Sequence, residues 1–302
     1  MSLPPNKLSR VIINTDAKNE ADDQYAIVQG LLTPSFELHG IIAAHFGSIK
    51  SKTSMQDSYD EVMKLLDLMA LRGQVRVEKG AEGPITNEQT AADSPGARFI
   101  VEEGMKDDPR PLHVAFLGPL TDMASALLIE PQLARRNIRV VWIGGGEWPV
   151  GGREYNLLND IAAANVVYRS GIEIWQIPSP VYKMMAVSYA ELHERVFDKG
   201  PLGKYLVEQL VDWNSRMVPG PIEHRSLGDS PAIGVMMYPD CGESSWVAAP
   251  QFTNPGMNYV HEGKRGTVRL YRNVDQRYIQ EDFFAKLNRF ARGVREFAKF
   301  GG

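Results

Sequence analysis

Short apolar runs alternate along the chain with longer stretches of helical spacing. Val11-Ile12-Ile13 is an unbroken apolar run that stops at Asn14-Thr15-Asp16, the pattern of a buried strand reaching its polar end. Between Asp22 and Leu32, the residues Tyr25, Ala26, Val28 and Leu32 recur at helical spacing, and Thr33-Pro34 closes the segment. Leu38–Phe46 predicts a second strand, and Thr53–Leu71 an amphipathic helix with Val62, Leu65, Leu66 and Met69 on its apolar face. Val75–Val77 reads as a short strand and Pro95–Met105 as a helix. The rhythm then repeats. His113–Leu117, Ile138–Ile143 and Ile172–Ile177 read as strands, and Leu120–Leu128 and Asp160–Tyr168 as the helices between them. From about Ser188 to Pro221 the pattern is mainly helical; Gly266–Tyr271 predicts a strand and Glu281–Phe297 a closing helix.

Such alternation predicts an α/β fold with a largely parallel, Rossmann-like central sheet flanked by helices on both faces. No linker or repeat divides the sequence, so one domain over residues 1–302 is expected. Composition agrees with a globular chain: 43% of residues are hydrophobic and 23% charged. The net charge of −4 gives no general attraction to nucleic acid or to anionic membranes. Cys241 is the single cysteine, so no intrachain disulfide forms, as in a reducing compartment. Met1–Arg10 lacks the apolar core of a signal peptide, and no run of about 18 apolar residues is present. A cytoplasmic location is the expectation.

In open parallel sheets, ligands bind beyond the carboxyl ends of the strands. That rule selects the loops Asn14–Asp23, His45–Ser48, Leu117–Thr121 and Gly144–Asn156. The first carries Asp16, Glu20, Asp22 and Asp23. A helix cap at Asp22 or Asp23 accounts for part of this acidity. If Asp16, Asp22 and Asp23 converge, however, each pair at ~4 Å repels by about 4 kcal/mol at an effective dielectric near 20. Convergence therefore requires a metal ion or a proton, and oxygen-only donors select Ca²⁺ or Mg²⁺. An EF-hand counted from Asp16 is excluded, because its glycine and glutamate positions hold Ala21 and Ile27. An aspartyl-phosphate enzyme is excluded too, since its nucleophile position holds Asn14.

This loop resembles the inosine-uridine nucleoside hydrolase family, which opens with Asp-Thr-Asp-Pro-Gly-x-Asp-Asp after its first strand. The matching residues are Asn14-Thr15-Asp16 and Asp22-Asp23, with Asn for the first Asp and five intervening residues instead of three. Leu117-Gly118-Pro119-Leu120-Thr121-Asp122-Met123-Ala124 is similar to the family's Gly-Pro-Leu-Thr-Asn-x-Ala. Glu154-Tyr155-Asn156, followed by Asp160 and Ala163-Ala164, resembles Glu-Phe-Asn-x-x-x-Asp-Pro-Glu-Ala-Ala, and Gly228-Asp229-Ser230-Pro231-Ala232 resembles His-Asp-Pro-x-Ala.

The resemblance implies the nucleoside hydrolase fold and calcium-dependent cleavage of the N-glycosidic bond of ribonucleosides, giving ribose and free base. It implies calcium ligands at the side chains of Asp16, Asp23 and Asp229 and at the Leu117 carbonyl, with Asp16 also the general base. Asp22, Glu154 and Asn156 would hold ribose, and Ser48 aligns loosely with a sugar-contacting Asn. The family's leaving-group histidine is replaced by Gly228, leaving His45 and His224 as candidate proton donors. Trp148 would stack on a base or serve a lid or interface; Met184 and Met185 would form core or pocket wall. The partners implied are a small-molecule nucleoside or riboside and, from the family's habit, a homodimer or homotetramer. Two further readings stay open: a metal-dependent sugar-binding protein with little catalysis, and a hydrolase of another N-riboside.

Overall fold

The computed structural model describes residues 4–261 and 266–301. The first three residues of the N-terminal segment, residues 262–265 and Gly302 lie outside the described residues. Six strands set the frame: β1 (Ser9–Thr15), β2 (Phe36–Ala43), β3 (Val77–Lys79), β4 (Leu112–Phe116), β5 (Ile138–Ile143) and β6 (Glu173–Ile177). They belong to a nine-stranded sheet completed by Thr267–Tyr271, Ser244–Ala248 and Lys299–Phe300. Strands β1, β2, β4, β5 and β6 pair in parallel throughout, as expected; Ser244–Ala248 runs antiparallel, on Thr267–Tyr271 at one edge.

The helices between them are α1 (Asp23–Leu31), α2 (Ser54–Leu68), α3 (Pro95–Gly104), α4 (Thr121–Ile129), α5 (Tyr155–Asn159) and α6 (Ile161–Ser170). Because strand side chains alternate, Val11 and Ile13 bury on one face of the sheet and Ile12 on the other. The first face packs α1, α2 and the long helix Gln276–Ala291; the second packs α3, α4 and α6. This double burial explains why the central strands read as continuous apolar runs.

Three expected elements shifted. The second strand lies at Phe36–Ala43, not Leu38–Phe46, the third at Val77–Lys79, not Val75–Val77, and the closing helix spans Gln276–Ala291, not Glu281–Phe297. The Asp275 side chain caps that helix by accepting from the Tyr278 N–H at 2.9 Å, so it begins a full turn earlier than its apolar spacing suggests. Among the described residues, no helix is long and apolar enough to cross a membrane.

The chain leaves β1 for β2 on one side and later returns to β4 on the other, which makes the β1–β4 junction the sheet's switch point. Register holds the strand ends level: Asn14 lies opposite Phe116, Phe116 opposite Trp142, and Trp142 opposite Gln176. The loops after these residues therefore open on one rim.

Candidate active site

At the switch point a cavity of about 60 Å³ is lined by Asp16, Asp22, Asp23, Glu154, Asn156 and Asp229, together with Leu117 and Ile143. Asp16 follows β1 directly and is 1% exposed. Its Oδ2 is buried without a hydrogen-bond partner among the described residues. Gly118, after β4, allows this approach: a Cβ there would stand 2.7 Å from the Asp16 carboxyl. Burial, and then the charge of Asp23, hold the Asp16 carboxyl well above the usual carboxylate range.

Asp23 opens α1, and its Oδ1 accepts from the Thr15 hydroxyl at 2.5 Å. Asp229 precedes the helix Ser230–Met237, whose first turn presents the residue without a side-chain cap bond. Carboxylate oxygens of Asp22, Asp23 and Asp229 lie within 4.8 Å of one another, and all three residues are buried. Burial is the largest cause that pushes Asp23 up to about 7 and Asp22 up to about 6; it also lifts Asp229, with Asp23 and Asp22 adding to it. The side-chain contact between the two carboxyls holds Asp23 down and pushes Asp229 up, the direction expected where Asp229 keeps its proton longer. Such a convergence requires a cation or a proton, and the donor set suits either. Asp16 lines the same cavity and feels Asp23 electrostatically, whereas the tightest trio contains Asp22 in its place.

Asp22 is fixed differently. Its Oδ2 accepts from the Gly228 N–H at 2.8 Å, and Arg225 lies 3.8 Å from its Oδ1. A Cβ at position 228 would meet the Tyr182 ring at 3.0 Å and Asp22 Oδ2 at 3.1 Å. Tyr182 thus crowds the space that a longer side chain at 228 would need.

The opposite wall is built by α5 and the glycine-rich loop before it. Glu154 caps α5: its Oε2 accepts from the N–H groups of Gly145 at 2.8 Å and Leu157 at 2.9 Å. Its Oε1 accepts from the Asn156 N–H at 3.1 Å and the Tyr182 hydroxyl at 2.9 Å. Burial nevertheless raises the Glu154 carboxyl above its ordinary range. Asn156 donates from Nδ2 to the carbonyls of Leu117 at 2.7 Å and Ile143 at 2.9 Å, tying β4 to β5 beneath the cavity.

Two of the departures from the family motifs meet in space. Asn14 Nδ2 donates to Asp122 Oδ2 at 2.8 Å, and Asp122 Oδ1 accepts from Ser94 Oγ at 2.8 Å and the Ala81 N–H at 2.9 Å. The Asn14 amide at the end of β1 and the Asp122 carboxylate at the start of α4 thus form one buried pair. Asn14 is therefore a partner in a buried pair under the acidic loop.

Other candidates stand apart from the cavity. Ser48 is exposed and does not line it. His45 is 1% exposed; its Nδ1 accepts from the Gly47 N–H at 3.1 Å and its Nε2 lies 2.8 Å from Thr121 Oγ1. Thr121 in turn donates to Asp160 Oδ2 at 2.7 Å, which directs the Nε2 proton of His45 toward the threonine oxygen. Burial pushes the His45 imidazole down to about 4, and this neutral, doubly bonded ring holds β2 to α4. Trp148 packs edge-on against His261 and Tyr259, with ring centroids 4.9 and 5.5 Å away. Met185 is core, whereas Met184 is exposed.

A wider cavity of about 600 Å³ adjoins the acidic one and shares Glu20, Asp22, Glu154, Tyr155, Tyr182 and Gly228 with it. His224 lies on its wall with Arg153, Lys183 and Arg225. Arg225 pairs with Glu20 and stacks over the Trp213 ring at 4.2 Å. Lys50 donates to Asn19 Oδ1 at 2.6 Å and stands 4.4 Å over the Tyr155 ring. Sequence reading missed Tyr182, although the strand-end rule reaches it: the loop after β6 belongs to the same rim. Nothing in the linear sequence announces the Arg225–Glu20 pair.

At the switch point the cavity gathers buried carboxylates from three separate segments, a donor set that suits a hard cation and the hydroxyls of a small ligand. The chain belongs to the inosine-uridine preferring nucleoside hydrolase family, whose sequence pattern it matches over residues 11–281. It is 25% identical to the pyrimidine-specific ribonucleoside hydrolase RihA of Salmonella paratyphi B, over 67% of this chain and 70% of that protein. The fold is similar to the purine-preferring ribonucleoside hydrolase of Gardnerella vaginalis, with a TM-score of 0.77 at 20% identity, covering 94% of this chain and 99% of that one. It is also similar to the type III effector protein XopQ complexed with adenosine diphosphate ribose, with a TM-score of 0.68 at 17% identity, covering 95% of each chain.

Proposed function

We propose that this protein hydrolyses the N-glycosidic bond of ribonucleosides at the acidic cavity, with Ca²⁺ as its cofactor, releasing ribose and free base. The observation that carries the reading is the buried convergence of Asp16, Asp22, Asp23 and Asp229 with an unpartnered Asp16 oxygen. Four carboxylates so placed suit a hard divalent cation better than any protein partner would. The side chains of Asp16, Asp23 and Asp229 and the Leu117 carbonyl would hold the ion. When bound, calcium supplies positive charge that neutralises these carboxylates and favours oxygen ligands from water and ribose.

The chain's own residues then have defined tasks. Asp16 takes the proton of the attacking water, for which its unpartnered Oδ2 beside the cavity suits it. The water oxygen bonds to the anomeric carbon, the C–N bond breaks, and its electron pair leaves with the base through an oxocarbenium-like transition state. Asp22 accepts from a ribose hydroxyl while the Gly228 N–H holds it in place. Asn156 spends both Nδ2 protons on main-chain carbonyls and so offers its Oδ1 to the sugar. Glu154, bonded to three main-chain N–H groups, can accept a ribose hydroxyl in exchange for that of Tyr182. The resemblance to the family also suggests a homodimer or homotetramer, which sedimentation equilibrium measures.

Chromatography of inosine or uridine incubated with the calcium-loaded protein tests the reading. Equimolar ribose and free base are expected; ribose binding without base release would favour the sugar-binding alternative. The relative bound to adenosine diphosphate ribose favours keeping a second reading, in which another N-riboside is the substrate.

A further inference from the structure

Beyond the acidic cavity, the cleft changes character. If ribose occupies the acidic half, the remainder of the substrate enters the wider cavity. That wall presents Arg153 from the glycine-rich loop, Lys183 from the segment after β6, and His224 and Arg225 from the strand His224–Ser226. Arg225 is committed to Glu20 and Asp22. Arg153 and Lys183 have no ion pair or side-chain hydrogen bond among the described residues. The carboxylates on the same wall are already engaged: Glu20 by Arg225, Glu154 by its four donors, and Asp22 by Gly228.

Two aromatic rings line the wall, and one is already covered: Lys50 stands over Tyr155, which leaves Tyr182, tied by its hydroxyl to Glu154. Trp148, the residue best suited by sequence to stack on a base, packs on Tyr259 and His261. A neutral purine or pyrimidine gains most from an apolar or aromatic platform. Unpaired cations converging on a cleft from separate elements instead focus positive potential and suit phosphate or carboxylate oxygens.

We propose that the wider half of the cleft recognises an anionic group carried by the riboside, a phosphate or a carboxylate, through Arg153 and Lys183. The proposal rests on the assignment of ribose to the acidic half. It makes these two residues determinants of specificity, and it makes the preferred substrate a charged N-riboside.

Two substrate pairs separate the sources of charge. Ribose and ribose 5-phosphate, neither of which is cleaved, are titrated calorimetrically into the calcium-loaded protein to probe a phosphate on the sugar. Uridine and orotidine are compared by kcat/KM to probe a carboxylate on the base. At least one anionic member should be favoured by tenfold or more at low ionic strength. That preference should fall below threefold in Arg153→Ala/Lys183→Ala, and also in 0.5 M salt, at which ~4 Å of Debye length remains. Indifference to charge in both pairs overturns the proposal, as does a preference that survives the double substitution. Tighter binding of ribose 5-phosphate by a protein that cleaves no riboside would uphold the cationic subsite while refuting the hydrolase reading.

Discussion

Replacing Asp229 by Asn should move stability in opposite directions with and without metal. In the metal-free protein, Asp22, Asp23 and Asp229 place oxygens within 4.8 Å of one another, and each ionised pair at that distance costs about 3 kcal/mol at an effective dielectric near 20. Protonation limits this cost. An Asp23 carboxyl pushed up to about 7 still costs roughly 4 kcal/mol of folding free energy once pH has risen above that value. The sign follows from proton counts: between pH 4 and 7 the native state binds more protons than the unfolded chain, so metal-free stability falls as pH rises. Asp229→Asn removes one charge from the trio, keeps the shape and leaves an amide donor toward Asp23. In EDTA at pH 8 the variant should gain about 2–4 kcal/mol, or roughly 5 °C or more in Tm. Calcium at a hundredfold excess over its Kd should stabilise the wild type by about 2.7 kcal/mol and the variant far less at the same concentration. Differential scanning calorimetry in EDTA and in calcium, at pH 5 and pH 8, reads all four states. A variant that melts at or below the metal-free wild type at pH 8, or that responds fully to calcium, refutes the reasoning.

Three other outcomes follow from the same geometry. His45→Gln should cost about 1–2 kcal/mol in chemical denaturation through its lost bonds to Gly47 and Thr121, yet leave the activity ratio between inosine and p-nitrophenyl riboside unchanged. Asn156→Ala should weaken ribose binding in calorimetry, and should also lower stability by about 2 kcal/mol because two buried carbonyls lose their donor. With Gly228 in the donor's position, kcat/KM for p-nitrophenyl riboside, whose phenolate leaves readily, should exceed that for inosine by about 10²-fold or more; parity would mean that another acid, with His224 the first to test, protonates the base.

The parallel sheet was legible because its central strands are buried on both faces and so appear as unbroken apolar runs, Val11–Ile13 and Val140–Ile143 among them. The edge was not. Ser244–Ala248 is only half-buried, and its alternation is too weak to distinguish it from a loop. The acidic loop and Asp229 were legible through motif order, since side chains that meet at one rim must follow strand ends. Ser48 shows the limit of that logic: a residue in a rim loop can still face solvent. Asn14 looks like a loss when read singly, and only its 2.8 Å contact with Asp122 shows that it serves a buried pair. Tyr182 follows β6 and was within reach of the strand-end rule, whereas Arg225 belongs to the site through packing between distant segments, for which linear spacing carries no signal.

The central claim is that the buried carboxylates hold a catalytic calcium ion for riboside hydrolysis, with Asp16 as base. Its most direct test is the initial rate of ribose release from inosine, uridine and p-nitrophenyl riboside by protein stripped with EDTA and then titrated with CaCl₂, in the wild type and in Asp16→Asn. The account predicts negligible rates in EDTA, recovery that saturates at one calcium per chain, and a loss of at least about 10²-fold in Asp16→Asn on every substrate the wild type cleaves. Full activity in EDTA, or an Asp16→Asn protein as active as the wild type, would contradict it.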